Sequence, residues 1–308
     1  MRGLGNKVVD ASAGFADGHK GKTQAPILRL LVGTTMPNPH LPQELLDHII
    51  DLLDDDLETL KECSLVAKSW IPRTQKHIFA TVEFTSTRDL QSWKRAFPNP
   101  SKSPACYTRS MYFGCPEAVV AADAEEGGWL RAFSHLANLH LESNHSYLSD
   151  GTRVGFAKSF APFYVFSPTL KSLRVPPILF QSPDLWTLMH SSPLLENLGV
   201  TGHEERDDDD DDLFGPRTVV SSTSPPLTGS LDLHIFGGMG KIASELLELP
   251  SGLHFRSLIL LLCHKGDVWW MTDLVERCFD TLECLEVTHR LDCTFSLILC
   301  HTYNSPAF

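Results

Sequence analysis

No apolar run in the 308 residues reaches the length of a membrane helix. The nearest approach, Pro26 to Gly33, is short and carries Arg29, so a membrane partner is not expected. Basic residues are also scarce: 26 Lys and Arg stand against 38 Asp and Glu, for a net charge of −12. A nucleic-acid partner is not expected either, because such a surface needs clustered cations. The N-terminal stretch lacks the charged, apolar and small-residue order of a secretory signal. The eight cysteines therefore read as reduced thiols of the cytosol or nucleus. Also missing are C-x2-C and H-x3-H spacings, a G-x-S-x-G elbow and an H-E-x-x-H pair. Their absence removes the sequence signals of zinc binding and of the common hydrolases.

What is present has a globular balance, with 42% hydrophobic and 21% charged residues. The length suffices for two units, each with its own core. Much of the negative charge is local. Glu204, Glu205 and Asp207 to Asp212 give eight acids against Arg206, which is seven of the twelve net charges. Like charges at this density repel, so 204–212 reads as a solvated loop insertion. It lacks the ligand spacing of a calcium loop.

The stretch from Leu41 to Phe84 carries the clearest local signals. Pro42 suits a first helical position and Glu44 the positive end of the helix dipole. Leu45, Leu46, Ile49, Ile50 and Leu53 recur as one apolar face, with Gln43, Glu44, Asp47, His48 and Asp51 largely between them. Asp54 to Asp56 should end that helix, and Asp56 has the side chain to cap a second. Leu57, Leu60, Cys63 and Leu65 or Val66 supply the second helix's buried side, which runs on to Trp70. Pro72 restarts the chain into a third helix.

The opening Leu41, Pro42 and Glu44, the Ile-rich first helix and the segment Thr59 to Trp70 (TLKECSLVAKSW) together resemble an F-box domain of the fungal type. Ala67 departs from the family, which often has Cys or a larger residue there. The resemblance implies docking on a Skp-family adaptor through Leu41, Pro42, Leu45, Ile49, Leu53, Leu60, Val66 and Trp70. An isolated cluster of this size has too little interior for all its apolar side chains.

Residues 1–36 read as a disordered leader and 37–84 as the helical unit. Ala80 to Phe84 has the alternation of a strand that joins this unit to the next, 85–308. A helix is expected around Leu90, Trp93 and Phe97, then a Pro- and Ser-rich loop and a strand in YTRSMYF. Beyond these the pattern Leu-x-x-Leu-x-(Leu or Val) recurs at Leu136, Leu170, Leu195 and Leu282. Variants start at Phe255 and Leu227, and the middle members start 25 to 34 residues apart. Such spacing fits one strand and one return segment per turn, and resembles an irregular leucine-rich repeat. Helical return segments are expected in 183–193, 241–249 and 269–279. The expected fold is thus α/β overall: three helices, then a leucine-rich-repeat-like solenoid. The apolar segment near Leu297 lacks a polar capping unit, which suggests truncation or a partner-covered edge.

Two chemical sites compete with this reading. Gly238, Gly240 and Ala243 follow a strand and open a helix, as in a loose dinucleotide fingerprint, and Asp267 stands where a ribose-binding acid would be. Too little chain follows Asp267 for the remaining strands, and Ile242 replaces the Ser or Thr of a P-loop. Cys278, Cys284, His289, Cys293, Cys300 and His301 form a thiol and imidazole cluster without paired-ligand spacing. No cofactor or metal is expected. Taken with the F-box resemblance, the chain reads as a non-enzymatic substrate receptor of an SCF-type ubiquitin ligase. It would reach cullin through the adaptor and hold a target protein on the repeats. The alternatives are an interaction protein that recruits no ligase and a nucleotide-binding enzyme at Gly238 and Gly240.

Overall fold

A computed structural model describes residues 42–114, 128–142, 161–177, 183–203, 226–236, 240–249, 252–262, 266–289 and 295–300. The leader 1–36, Leu41 and the acidic run 204–212 lie outside the described residues.

Three short helices come first. In α1 (Gln43–Asp51) the carbonyl of Pro42 accepts from the Leu45 and Leu46 amides at 3.0 and 3.3 Å. Asp56 caps α2 (Leu57–Val66), accepting from the Thr59 amide at 3.1 Å and the Thr59 hydroxyl at 2.6 Å. Pro72 lies in the first turn of α3 (Ile71–Ile78). Helix α1 ends at Asp51, just short of Leu53, the last residue of its apolar stripe, and the Asp51 side chain reaches α3. Its carboxylate accepts from Arg73 Nε at 2.6 Å, from a second guanidinium nitrogen of Arg73, and lies 2.7 Å from His77 Nε2. The Arg73 hydrogen bonds, followed by those of His77, hold the Asp51 carboxyl well below the usual carboxylate range. Ile50, Leu60 and Thr74 are buried.

The remainder is an α/β unit built on one nine-stranded sheet. Its strands are β1 (Thr81–Phe84), β2 (Ser110–Phe113), β3 (Asn138–Leu141), β4 (Ser172–Val175), β5 (Asn197–His203), β6 (Leu227–Phe236), β7 (Leu253–Leu262), β8 (Cys284–His289) and β9 (Phe295–Cys300). They lie side by side in chain order; β1 to β8 are parallel and β9 runs antiparallel to β8. The sheet is open, with β1 at one edge and β9 at the other. Helices α4 (Thr87–Ala96), α5 (Pro183–His190), α6 (Gly240–Leu247) and α7 (Asp267–Cys278) lie in return segments, with short 3-10 turns in others. Every expected repeat supplies one strand. β1 and β2 extend the same ladder, so β1 belongs to the sheet rather than to the end of the helical unit.

Register explains the repeat. Val82, Met111, Leu139, Leu173, Leu198, Leu231, Leu258 and Leu285 form one cross-strand column. Two residues on, Phe84, Phe113, Leu141, Val175, Val200, Leu233, Leu260 and Val287 continue the inward face. Leu185, Leu188, Ile242, Leu246 and Leu274 of the return helices belong to the same buried core. Since a strand's side chains alternate between faces, this arrangement turns one face of the parallel strands toward the core that these helices share. Threonine hydroxyls tie successive turns together. Thr169 donates to the Leu136 carbonyl at 2.6 Å, and Thr281 to that of Phe255 at 3.0 Å.

An aromatic joint fastens the helices to the sheet. Phe79, at the end of α3, meets Trp93 and Phe97 of the α4 region edge-on at 5.7 and 5.9 Å. Trp93 also meets Phe84 of β1, while Phe84 stacks on Phe113 of β2 at 5.4 Å. Gly229 marks a shift in the β6–β7 register, at φ +90°. A Cβ there would stand 2.0 Å from the Glu196 carbonyl oxygen, so only glycine fits.

Candidate functional site

Two surfaces can meet a partner. The first is the apolar side of α1 and α2. The wide apolar stripe of α1 divides: Ile50 is buried and Leu46 and Leu53 are half-buried, whereas Leu45, Ile49 and Leu52 stand exposed. Leu45 is 50% exposed and Leu52 71%. On α2, Leu57 is exposed, Leu65 is 81% exposed and Val66 68%. Six of the eleven exposed large hydrophobic residues among those described thus lie in this small cluster. Water contact at these side chains is the free-energy source a partner could draw on, at about 25 cal/mol per Å² covered.

The docking residues expected from sequence separate by position. Pro42, Leu45, Ile49 and Val66 are exposed, and Leu53 and Trp70 are half-buried. Leu60 is fully buried between the helices, so it packs the cluster and does not belong to its docking surface. Leu41 lies outside the described residues. Sequence reading missed Leu52, which follows Leu45 and Ile49 at helical spacing, and it placed Leu57 and Leu65 on the buried side of α2.

The second surface is the sheet face opposite the core. One column on it reads Thr81, Ser110, Asn138, Ser172, Asn197, Ser230, Ser257 and Cys284, a line of small uncharged polar residues. The neighbouring column reads Glu83, Tyr112, His140, Arg174, Gly199, Asp232, Ile259 and Glu286. In this second column Arg174 of β4 donates to Asp232 of β6 at 2.8 Å, passing over β5. Gly199 is what lets it pass: a Cβ there would meet the Arg174 side chain at 3.0 Å. His234 Nε2 also lies 3.0 Å from Asp232. Tyr112 packs edge-on against His140 at 5.0 Å and donates its hydroxyl proton to Glu142. Burial, with Arg174 adding repulsion, lowers the His140 pKa to about 4, so the ring is neutral near pH 7. The face therefore offers hydroxyls, amides and an ion pair between Arg174 and Asp232, with Glu83 and Glu286 toward its two ends.

The competing chemical sites look different in three dimensions. Gly240 opens α6, and the Trp270 indole lies where its Cβ would be, 2.7 Å from Nε1. Its small size is thus explained by packing against α7. Gly238 lies outside the described residues, and Asp267 is buried in the first turn of α7. Among the described strands the order never reverses, so they form no switch-point crevice of the kind dinucleotides occupy. Among the described residues, no three His, Cys, Asp or Glu side chains are grouped to hold a metal ion, and no helix is long and apolar enough to cross a membrane. Of the thiol and imidazole cluster, Cys278 is buried and Cys284 half-buried, while Cys293 and His301 lie outside the described residues. No protein-family model matches the chain, and a comparison with curated proteins gave no match.

Proposed function

We propose that this protein is a substrate receptor of an SCF-type ubiquitin ligase. The helical cluster acts as an F-box and docks on a Skp-family adaptor, and the sheet unit, a leucine-rich-repeat-like solenoid, holds the target on its polar face. The protein performs no chemistry itself. By tethering the target near the transfer machinery it raises the target's effective concentration there. The observation that carries this reading is the apolar surplus of α1 and α2, with Leu45, Ile49, Leu52, Leu65 and Val66 exposed on a chain whose sheet buries its own inward columns.

The reading in which the cluster merely packs on its own repeats has less support. The contact between the two units runs through Phe79 and the α4 aromatics, and it leaves the α1 and α2 surface uncovered. Mixing purified protein with a Skp-family adaptor and measuring binding by calorimetry tests the proposal. The wild type should bind. The Leu45→Asp/Val66→Ser double variant should bind at least about 100-fold more weakly, as expected for two interface anchors of roughly 2 kcal/mol each. Equal affinity, or no binding by the wild type, would remove the F-box assignment.

A further inference from the structure

The core is closed at one end of the sheet and open at the other. At the β1 end Phe79 and Trp93 pack over the edge strand, and Val82 and Phe84 are buried. At the β8 end Leu285 and Val287 hold the same two column positions but are only half-buried, while Leu258 and Leu260, one strand inward, are fully buried. Helix α7 accounts for the opening. Trp270 faces α6, where its indole meets Gly240, and Asp267, Leu274 and Cys278 are buried. Val268, Met271, Val275 and Phe279 follow one another at intervals of 3, 4 and 4 residues, the spacing of a single helical stripe. At 3.6 residues per turn this stripe lies about 145° round the helix from Trp270, on the flank turned away from α6. Phe279 keeps helical backbone angles just past the end of α7, so it stays in line. Met271 and Val275 are half-buried, Val268 is 44% exposed and Phe279 68%. Among the described residues no return helix stands beyond α7, although β9 carries the sheet backbone one strand past β8.

Charge indicates what fits there. From Gly266 to His289 six Asp and Glu stand against one Arg, Arg277. Glu276, Asp280 and Glu283 are exposed at the Phe279 end of the stripe, where the helix dipole is also negative. Among the described residues Glu276 and Asp280 form no ion pair, and Glu283 has only Arg256, 3.9 Å away and equally exposed. A second copy of the chain would bring charge of the same sign, so it is disfavoured as the cover.

We propose that this flank docks a basic amphipathic helix of a partner protein, which takes the place of a further return helix beside α7. The apolar face of that helix covers Val268, Val275 and Phe279, and its Lys or Arg side chains meet Glu276 and Asp280. α7 has 12 residues and is about 18 Å long, so about three turns of partner helix match it at an interaxial distance of about 8–10 Å. The flank belongs to the far end of the sheet from α1 and α2, and the proposal does not depend on the ligase reading.

The test uses the full chain and fluorescent helical peptides of about 14 residues. One peptide has leucines on one face and lysines on the other; a second replaces the lysines by glutamates, and a third replaces the leucines by serines. Anisotropy should show the Leu/Lys peptide bound, and the other two bound at least about 10-fold more weakly. V268S/F279S changes two exposed side chains and should melt with the wild type, yet weaken the Leu/Lys peptide at least about 10-fold. E276K/D280K should weaken the same peptide and strengthen the Leu/Glu one. Undiminished binding by V268S/F279S would overturn the proposal, because acids elsewhere would then hold the peptide. So would a Leu/Glu peptide that binds wild type as tightly as the Leu/Lys one, or no binding at all. Sedimentation of the wild type alone addresses the other cover: a dimer that V268S/F279S dissolves would assign the flank to a second copy and overturn the proposal as well.

Discussion

The helical cluster and the sheet handle apolar side chains in opposite ways. In the sheet, Phe84, Phe113, Leu173 and Leu260 are almost completely shielded from water, in one core with side chains of the return helices α5, α6 and α7. In the cluster, three short helices enclose only Ile50, Leu60 and Thr74, and the outer half of the α1 stripe remains wet. Repetition accounts for the difference. An inner strand of the ladder has a neighbour on each side and the shared core on one face, whereas α1 and α2 have α3 and little beyond it. The described strands share one buried core, whereas the cluster leaves half of its apolar stripe to water.

Three measurements can break or sharpen that contrast. The largest effect is expected from Phe113→Ala, which empties a site in the aromatic joint and the inward column. Chemical denaturation should show a loss of about 3–5 kcal/mol, whereas Leu45→Asp on the exposed α1 stripe should change stability by less than about 0.5 kcal/mol. Similar losses in both variants would mean that the α1 stripe is core after all. Next comes Gly229→Ala, where the new methyl meets the Glu196 carbonyl and the backbone is left-handed. About 2–3 kcal/mol should be lost through strain, and hydrogen exchange should quicken in β6 and β7 ahead of β1 and β2.

The smallest effect concerns the ion pairs that close the cluster. Asp51 has a depressed pKa in the folded protein, so its stabilising contribution is complete above its unfolded pKa of about 3.9 and declines as pH falls through the lower folded value. Since both partners are partly exposed, solvent screens the pair and the contribution is modest. Thermal melts of Asp51→Asn should therefore lie slightly below wild type at pH 7, with the gap narrowing as the pH drops below about 4. A gap that widens on acidification would contradict the assignment of Asp51 as the charged acceptor.

Much of this arrangement is legible in the residues. The cap at Asp56, the start at Pro42 and the restart at Pro72 are local signals, and each marks a helix that forms. Leucines at both pattern positions mark β3, β4 and β5. β1 and β2 use Val82, Phe84, Met111 and Phe113 in the same columns, so a search for leucine reads them as strands but leaves them out of the repeat. Thr169 and Thr281, each just before a repeat's first leucine, carry an inter-turn hydrogen bond that a search for the usual Asn or Cys overlooks. The division of the α1 stripe is illegible for a different reason. Helical spacing identifies an apolar face but does not say how much of it a neighbour covers, and α3 covers only the half around Ile50. Nor does sequence distance reveal that Arg174 reaches Asp232, 58 residues away, across the gap left by Gly199.

The strand order also bears on how the chain folds. Partners in the seven parallel ladders are separated by 25 to 34 residues, and no ladder requires distant parts of the chain to meet. The entropy of closing a loop rises only slowly with its length, so each added strand faces nearly the same modest barrier. Once any two neighbours have paired, the sheet can extend strand by strand in either direction, and it can fray in the same way from its edges.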